Sequence, residues 1–186
     1  MAIFEYGEYS NVYEPPDNLV DFFEQSAARF ASNPFIGEKD AAGDYQWVTY
    51  SQIAERINNL RGGLHAAGVR AGDTVGIIAN NRKEWFIGEI ATQGLGAAYV
   101  PMYEKELVSM WKYIIRDAEV KVLLVARNDI LEKIKDFPTE IPTLEKIFVI
   151  EGTGENSMAA LQAAGAKKPV ASIKPKHSDV AVLIYT

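Results

Sequence analysis

Apolar residues recur along this chain with two different periods, and the two alternate. Leu19, Phe22, Phe23, Ala27 and Phe30 follow Pro15-Pro16-Asp17-Asn18 at i, i+3 and i+4 spacings, which predicts an amphipathic helix. Phe35-Ile36-Gly37 and Tyr45-Gln46-Trp47-Val48-Thr49-Tyr50 read as the arms of a hairpin turned by Asp40–Asp44. Ser51 is placed to cap a second helix with the stripe Ile53, Ile57, Leu60 and Leu64; Gly68 closes it and Gly72-Asp73 makes the next turn. Short apolar runs follow at 74–79, 97–100, 120–125, 146–150 and 180–185, the second ended by Pro101. Helical patterns separate them. One, capped by Asn80-Asn81, runs from about Lys83 to Leu95, and another spans about Glu106 to Asp117 with Leu107, Met110, Trp111 and Ile114 on one face. Two more lie near Asn128–Lys135 and Ser157–Ala164.

Strands without polar alternation imply burial on both faces, and helices between them imply βαβ crossovers. The expected fold class is therefore α/β. It is a doubly wound, mostly parallel sheet with helices on both faces, plus a small N-terminal β-hairpin. The stretch 165–177 is the linker candidate, and 179–186 reads as the start of the next sheet strand. An apolar strand with no turn or polar tail behind it suggests an incomplete portion of a larger domain, 1–186 being its N-terminal part. Ligands of such sheets bind beyond the carboxyl ends of the strands. The expectation is that the sequence stops where the chemistry begins.

Composition narrows the function classes. Of 186 residues, 48% are hydrophobic and 24% charged, which suits a folded globular chain. The net charge of -6 leaves no electrostatic footprint for nucleic acid. The densest basic cluster, Lys167-Lys168 with Lys174 and Lys176, is interrupted by Pro169 and Pro175 and reads as a surface connection. There is no cysteine, so disulfides, thiolate nucleophiles and cysteine-ligated metals are excluded. The acidic start, Met1–Glu8, has no secretory pattern, and no apolar run approaches the roughly 20 residues of a membrane span. A cytoplasmic chain is expected.

Most familiar chemistry is missing. His65, near the end of its helix, is placed to cap carbonyls, and His177 lies in the linker; neither has the company of a metal site or a Ser-His-Asp triad. Gly152-Thr153-Gly154 follows a strand, but Ser157 stands where a dinucleotide fingerprint needs its third glycine. Gly94-Leu95-Gly96 follows a helix, which suits close approach of helix and sheet rather than phosphate. Trp85, Phe86, Trp111 and Tyr113 suit either core packing or the wall of an acyl or aromatic pocket.

Three segments, in order, resemble the adenylate-forming superfamily of acyl-CoA synthetases, peptide-synthetase adenylation domains and luciferases. The first is Val48-Thr49-Tyr50-Ser51-Gln52-Ile53 with Leu64-His65-Ala66-Ala67-Gly68-Val69 and Gly72-Asp73-Thr74-Val75-Gly76-Ile77. The second runs from Asn80-Asn81-Arg82-Lys83-Glu84-Trp85 to Gly94–Tyr103 and is similar to the family's "G-A-x-Y-V-P" segment. The third, Asp179–Thr186, looks like the lead-in to the glycine-rich phosphate loop that opens with Tyr-Thr. Arg82–Trp85 and Val100-Pro101-Met102-Tyr103 tilt the resemblance toward long-chain fatty acid ligases.

The resemblance implies a two-step reaction. A carboxylate attacks ATP to give acyl-adenylate and pyrophosphate, and the CoA thiol then displaces AMP. ATP, Mg and CoA are the implied cofactors, with a small-molecule carboxylate and CoA as partners. Thr186 is the one implied ATP phosphate or Mg contact, no catalytic residue is assigned within 1–186, and the chain alone is expected to be inactive. A homodimer is compatible with the resemblance. The rival readings are a non-catalytic α/β interaction module and a nucleotide-binding oxidoreductase built on the Gly152 turn.

Overall fold

A computed structural model describes residues 16–186. Pro15 and the acidic start Met1–Glu8 lie outside the described residues. In order, the elements are α1 (Leu19–Arg29), β1 (Pro34–Lys39), β2 (Tyr45–Thr49), α2 (Tyr50–Ala66), β3 (Thr74–Ile78), α3 (Lys83–Gln93) and β4 (Ala98–Met102). They continue as α4 (Val108–Asp117), β5 (Val120–Val125), α5 (Asn128–Ile134), α6 (Phe137–Glu140), β6 (Lys146–Val149) and α7 (Met158–Lys167).

The helix starts show which polar residues win the caps. Asn18 accepts the Asp21 amide and begins α1. Helix α2 starts earlier than the Ser51 reading allows, because Thr49 and Gln52 form a capping box: the Thr49 hydroxyl accepts from the Gln52 amide and the Gln52 side chain takes the Thr49 N–H. At α3 the cap position is Arg82, with no side-chain cap, rather than Asn80-Asn81. The carbonyls at the end of α2 are met by Arg70 instead of the His65 imidazole: Arg70 Nη1 donates to the His65 and Val69 carbonyls at 2.7 and 2.8 Å.

Strands β1 and β2 form the expected antiparallel hairpin. The other four form one parallel sheet in the order β4-β3-β5-β6. Strand β3 is buried along its whole length, as a run with no polar alternation requires. The chain steps from β3 out to β4 and then crosses back over β3 to β5. With right-handed crossovers, that reversal puts α3 and α4 on opposite faces. Helix α2 packs against both α3 and α7, so these three cover one face. On the other, Lys112 of α4 pairs with Glu140 of α6.

Helices α2 and α7 cross almost backbone to backbone. A Cβ on Gly165 would run into the Asn59 carbonyl oxygen and the Gly63 nitrogen. Thus α7 runs through to Lys167, with Gly165 as a packing position inside it. The connection beyond it is also held. Arg61 Nε donates to the Val170 carbonyl at 2.8 Å, and the Ile173 amide donates to the Gly94 carbonyl at 2.8 Å.

That strap corrects the reading of Gly94 and Gly96. The close approach is not helix to sheet. A Cβ on Gly94 would lie 3.0 Å from Arg61 Cδ, and Gly96, at φ +70°, leaves room for Ile173.

Strand β4 runs through Pro101 to Met102 instead of ending before it. Proline is tolerated because β4 sits at the rim of the four-stranded sheet. The terminal run 180–185 lies along that rim but makes only a single parallel bridge, Val182 with Tyr99, in place of a full strand. Tyr99 N–H donates to the Ala181 carbonyl and Leu183 N–H to the Tyr99 carbonyl, each at 2.9 Å. The next donor on this edge would be residue 101, which has no N–H.

Candidate active-site cleft

A cleft of about 560 Å³ opens beyond the carboxyl ends of β3 and β4. Its floor is Ala79 and Asn81, where the chain leaves β3, with Pro101 and Met102 at the end of β4. Trp85, from the first turn of α3, forms one side. Met110, Tyr113 and Ile114 of α4 form another, and Ile184, Tyr185 and Thr186 close the rim.

Local sequence explains these walls. Trp111 is buried to 1% exposure, and its indole N–H donates to the Tyr103 carbonyl at 2.9 Å. That bond docks α4 directly after β4, so Met110 and Tyr113 turn toward the cleft. Trp85 meets buried Tyr99 edge-on at 5.6 Å between ring centroids, and the Tyr99 hydroxyl donates to the Trp85 carbonyl at 3.1 Å. The four aromatic candidates therefore divide. Trp85 and Tyr113 line the cleft, whereas Trp111 is core and Phe86 packs edge-on against Phe23 and Phe35 at 5.3 and 5.2 Å.

The terminal residues are tethered by a side chain that sequence reasoning overlooked. Tyr185 Oη donates to Asp117 Oδ2 at 2.7 Å, and its ring meets Tyr113 edge-on at 6.2 Å. Partial burial and then the Asp117 carboxylate push the Tyr185 pKa up to about 12. Thr186 follows at the exposed rim. The signal that could have revealed Asp117 is its position: a carboxylate at the last residue of a helix opposes the helix dipole.

Beside the cleft, the strand ends are bound together by paired charges. Glu104, its side chain 7% exposed, accepts the Asn80 amide at 2.8 Å and pairs with Arg127 at 2.7 Å. Arg82 links Glu84 at 2.8 Å to Glu151 at 2.6 Å. These ion pairs brace the upper edge of the sheet.

The remaining candidates lie elsewhere. His177 is exposed in the strap, and His65 lies at the far end of α2. Gly152 and Gly154 form the turn into α7, where Ser157 Oγ donates to the Gly154 carbonyl at 2.7 Å and accepts from the Ala160 amide at 3.1 Å. Among the described residues, no three His, Cys, Asp or Glu side chains gather as a metal site. No helix among them is long and apolar enough to cross a membrane.

A parallel sheet with an apolar cleft at its carboxyl edge is the architecture of α/β domains whose ligands bind at that edge. The chain belongs to the family of AMP-binding enzymes, whose model matches residues 23–186. Its relatives include the long-chain-fatty-acid–CoA ligase FadD15 of Mycobacterium bovis, 31% identical over 75% of this chain and 24% of the relative. Long chain acyl-CoA synthetase 3 of Arabidopsis thaliana is 33% identical over 72% of this chain and 21% of its own length. The chain thus spans about a quarter or less of the length of these curated relatives.

Solved structures show the same fold. The anthranilate CoA ligase AuaEII in complex with anthranoyl-AMP superposes with a TM-score of 0.78 at 24% identity, covering 94% of this chain and 32% of that one. A long-chain-fatty-acid-CoA ligase (FadD1) from Archaeoglobus fulgidus gives 0.78 at 23% identity, covering 95% and 36%.

Proposed function

We propose that this chain is a working part of an ATP-dependent acyl-CoA synthetase that takes fatty acids. The observation that carries the proposal is the cleft itself: an apolar wall of Trp85, Met110, Tyr113 and Ile114 faces the Thr186 rim at the strand ends. Each methylene taken from water by such a wall is worth about 0.8 kcal/mol, which favours long acyl chains over short ones.

In the first step a carboxylate oxygen bonds to the α-phosphorus of ATP and the bond to pyrophosphate breaks. In the second the CoA sulfur bonds to the acyl carbon and AMP leaves. The Thr186 hydroxyl is suited to donate to a phosphate oxygen as charge shifts in the first step. Among the described residues no carboxylate cluster is offered to Mg²⁺, which usually keeps waters and binds substrate phosphates. A cysteine-free sequence fits a reducing compartment, and a cytoplasmic setting belongs to this reading.

The test compares residues 1–186 with the longer protein of which this reading makes them part. Each is supplied with palmitate, ATP and CoA, and AMP, pyrophosphate and acyl-CoA are quantified. The longer protein should form all three in step with one another, and residues 1–186 none. A longer protein inactive on carboxylates of every chain length, or one releasing ADP, would overturn the proposal.

A further inference from the structure

We propose that Asp117 and Tyr185 are positioning residues that hold Thr186 at the cleft for adenylation, an inference that rests on the function proposed above. Little else places the terminal residues. Backbone bonding to β4 ends at Leu183, and Pro101 cannot donate the next bond. Ile184 and Thr186 are exposed. What fixes residue 185 is its side chain, through the 2.7 Å bond to Asp117 and the edge-on contact with Tyr113. A phenol donating to a carboxylate makes a charge-assisted bond, stronger than one between neutral groups.

Asp117 is otherwise poorly placed. It ends α4, where the negative end of the helix disfavours a carboxylate, and the Tyr185 proton supplies the compensating contact. The raised Tyr185 pKa keeps that proton in place through the neutral range. Helix α4, which carries Met110 and Tyr113 into the cleft, is already docked by the Trp111–Tyr103 bond, so the tether sets Thr186 against a wall that stands without it.

The test uses the complete enzyme, with single-turnover acyl-adenylate formation, the KM for fatty acid and the thermal midpoint as readouts. Tyr185→Phe and Asp117→Ala should each slow adenylation about tenfold, a modest effect for a hydrogen bond to a charged group. Their midpoints and fatty-acid KM should stay near those of the parent. Asp117→Asn should recover most of the rate, because its carbonyl oxygen still accepts. On a Thr186→Val background, Tyr185→Phe should add no further loss, since the tether acts through Thr186. A Tyr185→Phe enzyme with the parental rate, or losses that multiply with Thr186→Val, would overturn the assignment while leaving the synthetase reading intact. A parental enzyme that forms no acyl-adenylate from any carboxylate would remove both.

Discussion

Arg56 Nη2 lies 2.8 Å from Glu84 Oε1 and so joins the middle of α2 to the first turn of α3. Arg82 holds the other oxygen at 2.8 Å, and Lys83 stands 3.7 Å from Oε1. Lys83 also pairs with Glu38 of the hairpin, so one network ties hairpin, helices and sheet edge together. Burial works to raise the Glu84 pKa. Hydrogen bonds from Arg82 and Arg56, with the charges of Lys83 and Arg56, outweigh it and bring the group from its ordinary 4.5 to about 2.

The sign of the pH effect follows. The folded pKa lies below the unfolded one, so the contribution of Glu84 is complete above pH 4.5 and is lost as pH falls toward about 2. Glu84→Gln should destabilise the protein by about 3 kcal/mol at neutral pH, because it removes the buried charge that Arg56 and Arg82 share, while Arg82 and Lys83 keep only their outer partners Glu151 and Glu38. The gap between parent and variant should narrow by about pH 3. Urea midpoints at the two pH values check this; a gap of constant size would show that another group titrates.

Gly165→Ala should cost about 1–3 kcal/mol or more through overpacking at the α2–α7 crossing. Gly43 provides the contrast: it sits at φ +90° in the hairpin turn with nothing within 4 Å. Gly43→Asn keeps a residue that tolerates this conformation and should leave the urea midpoint nearly unchanged. Equal losses for the two variants would show that backbone freedom, not helix contact, is what Gly165 supplies.

Gly94→Val and Gly96→Val should each lower stability by about 1–3 kcal/mol, with Gly96→Val the worse because its backbone is left-handed as well as crowded. The partners are Arg61 and Ile173, so protease nicking within 168–177 should accelerate in both variants. Unchanged urea midpoints and nicking rates would show that the strap does not depend on these glycines.

On the proposed function, Thr186→Val in the longer protein preserves the β-branched shape and removes only the hydroxyl. Stability should be retained while adenylation falls about a hundredfold, the usual loss for a donor to charge developing in a transition state. Single-turnover acyl-adenylate formation measures it, and a parental rate would remove Thr186 from the chemistry.

The alternation of elements could be read directly from the residues. Val75 to Ala79 and Val122 to Ala126 are buried on both faces, so no polar position interrupts them. Ile53, Ile57, Leu60 and Leu64 are buried on one helical stripe, so the 3.6-residue period survives. Periodicity reports a local fact, namely which positions lose water, and that fact fixed the α/β class and the existence of the hairpin.

Tertiary structure decided everything that depends on which buried surface meets which. Trp85 and Phe86 are adjacent in sequence and equally apolar, yet one faces the cleft and the other the Phe23–Phe35 cluster. Pro101 fits inside β4 only because that strand lies at the rim of the four-stranded sheet. The Asp117–Tyr185 bond joins residues 68 positions apart. Neither residue carries a local pattern that names the other, because a single exposed-edge hydrogen bond contributes nothing to hydrophobic periodicity. Only the crossover that seats α4 beside the terminal segment brings the carboxylate within reach of the phenol, and with it places Thr186 at the mouth of the cleft.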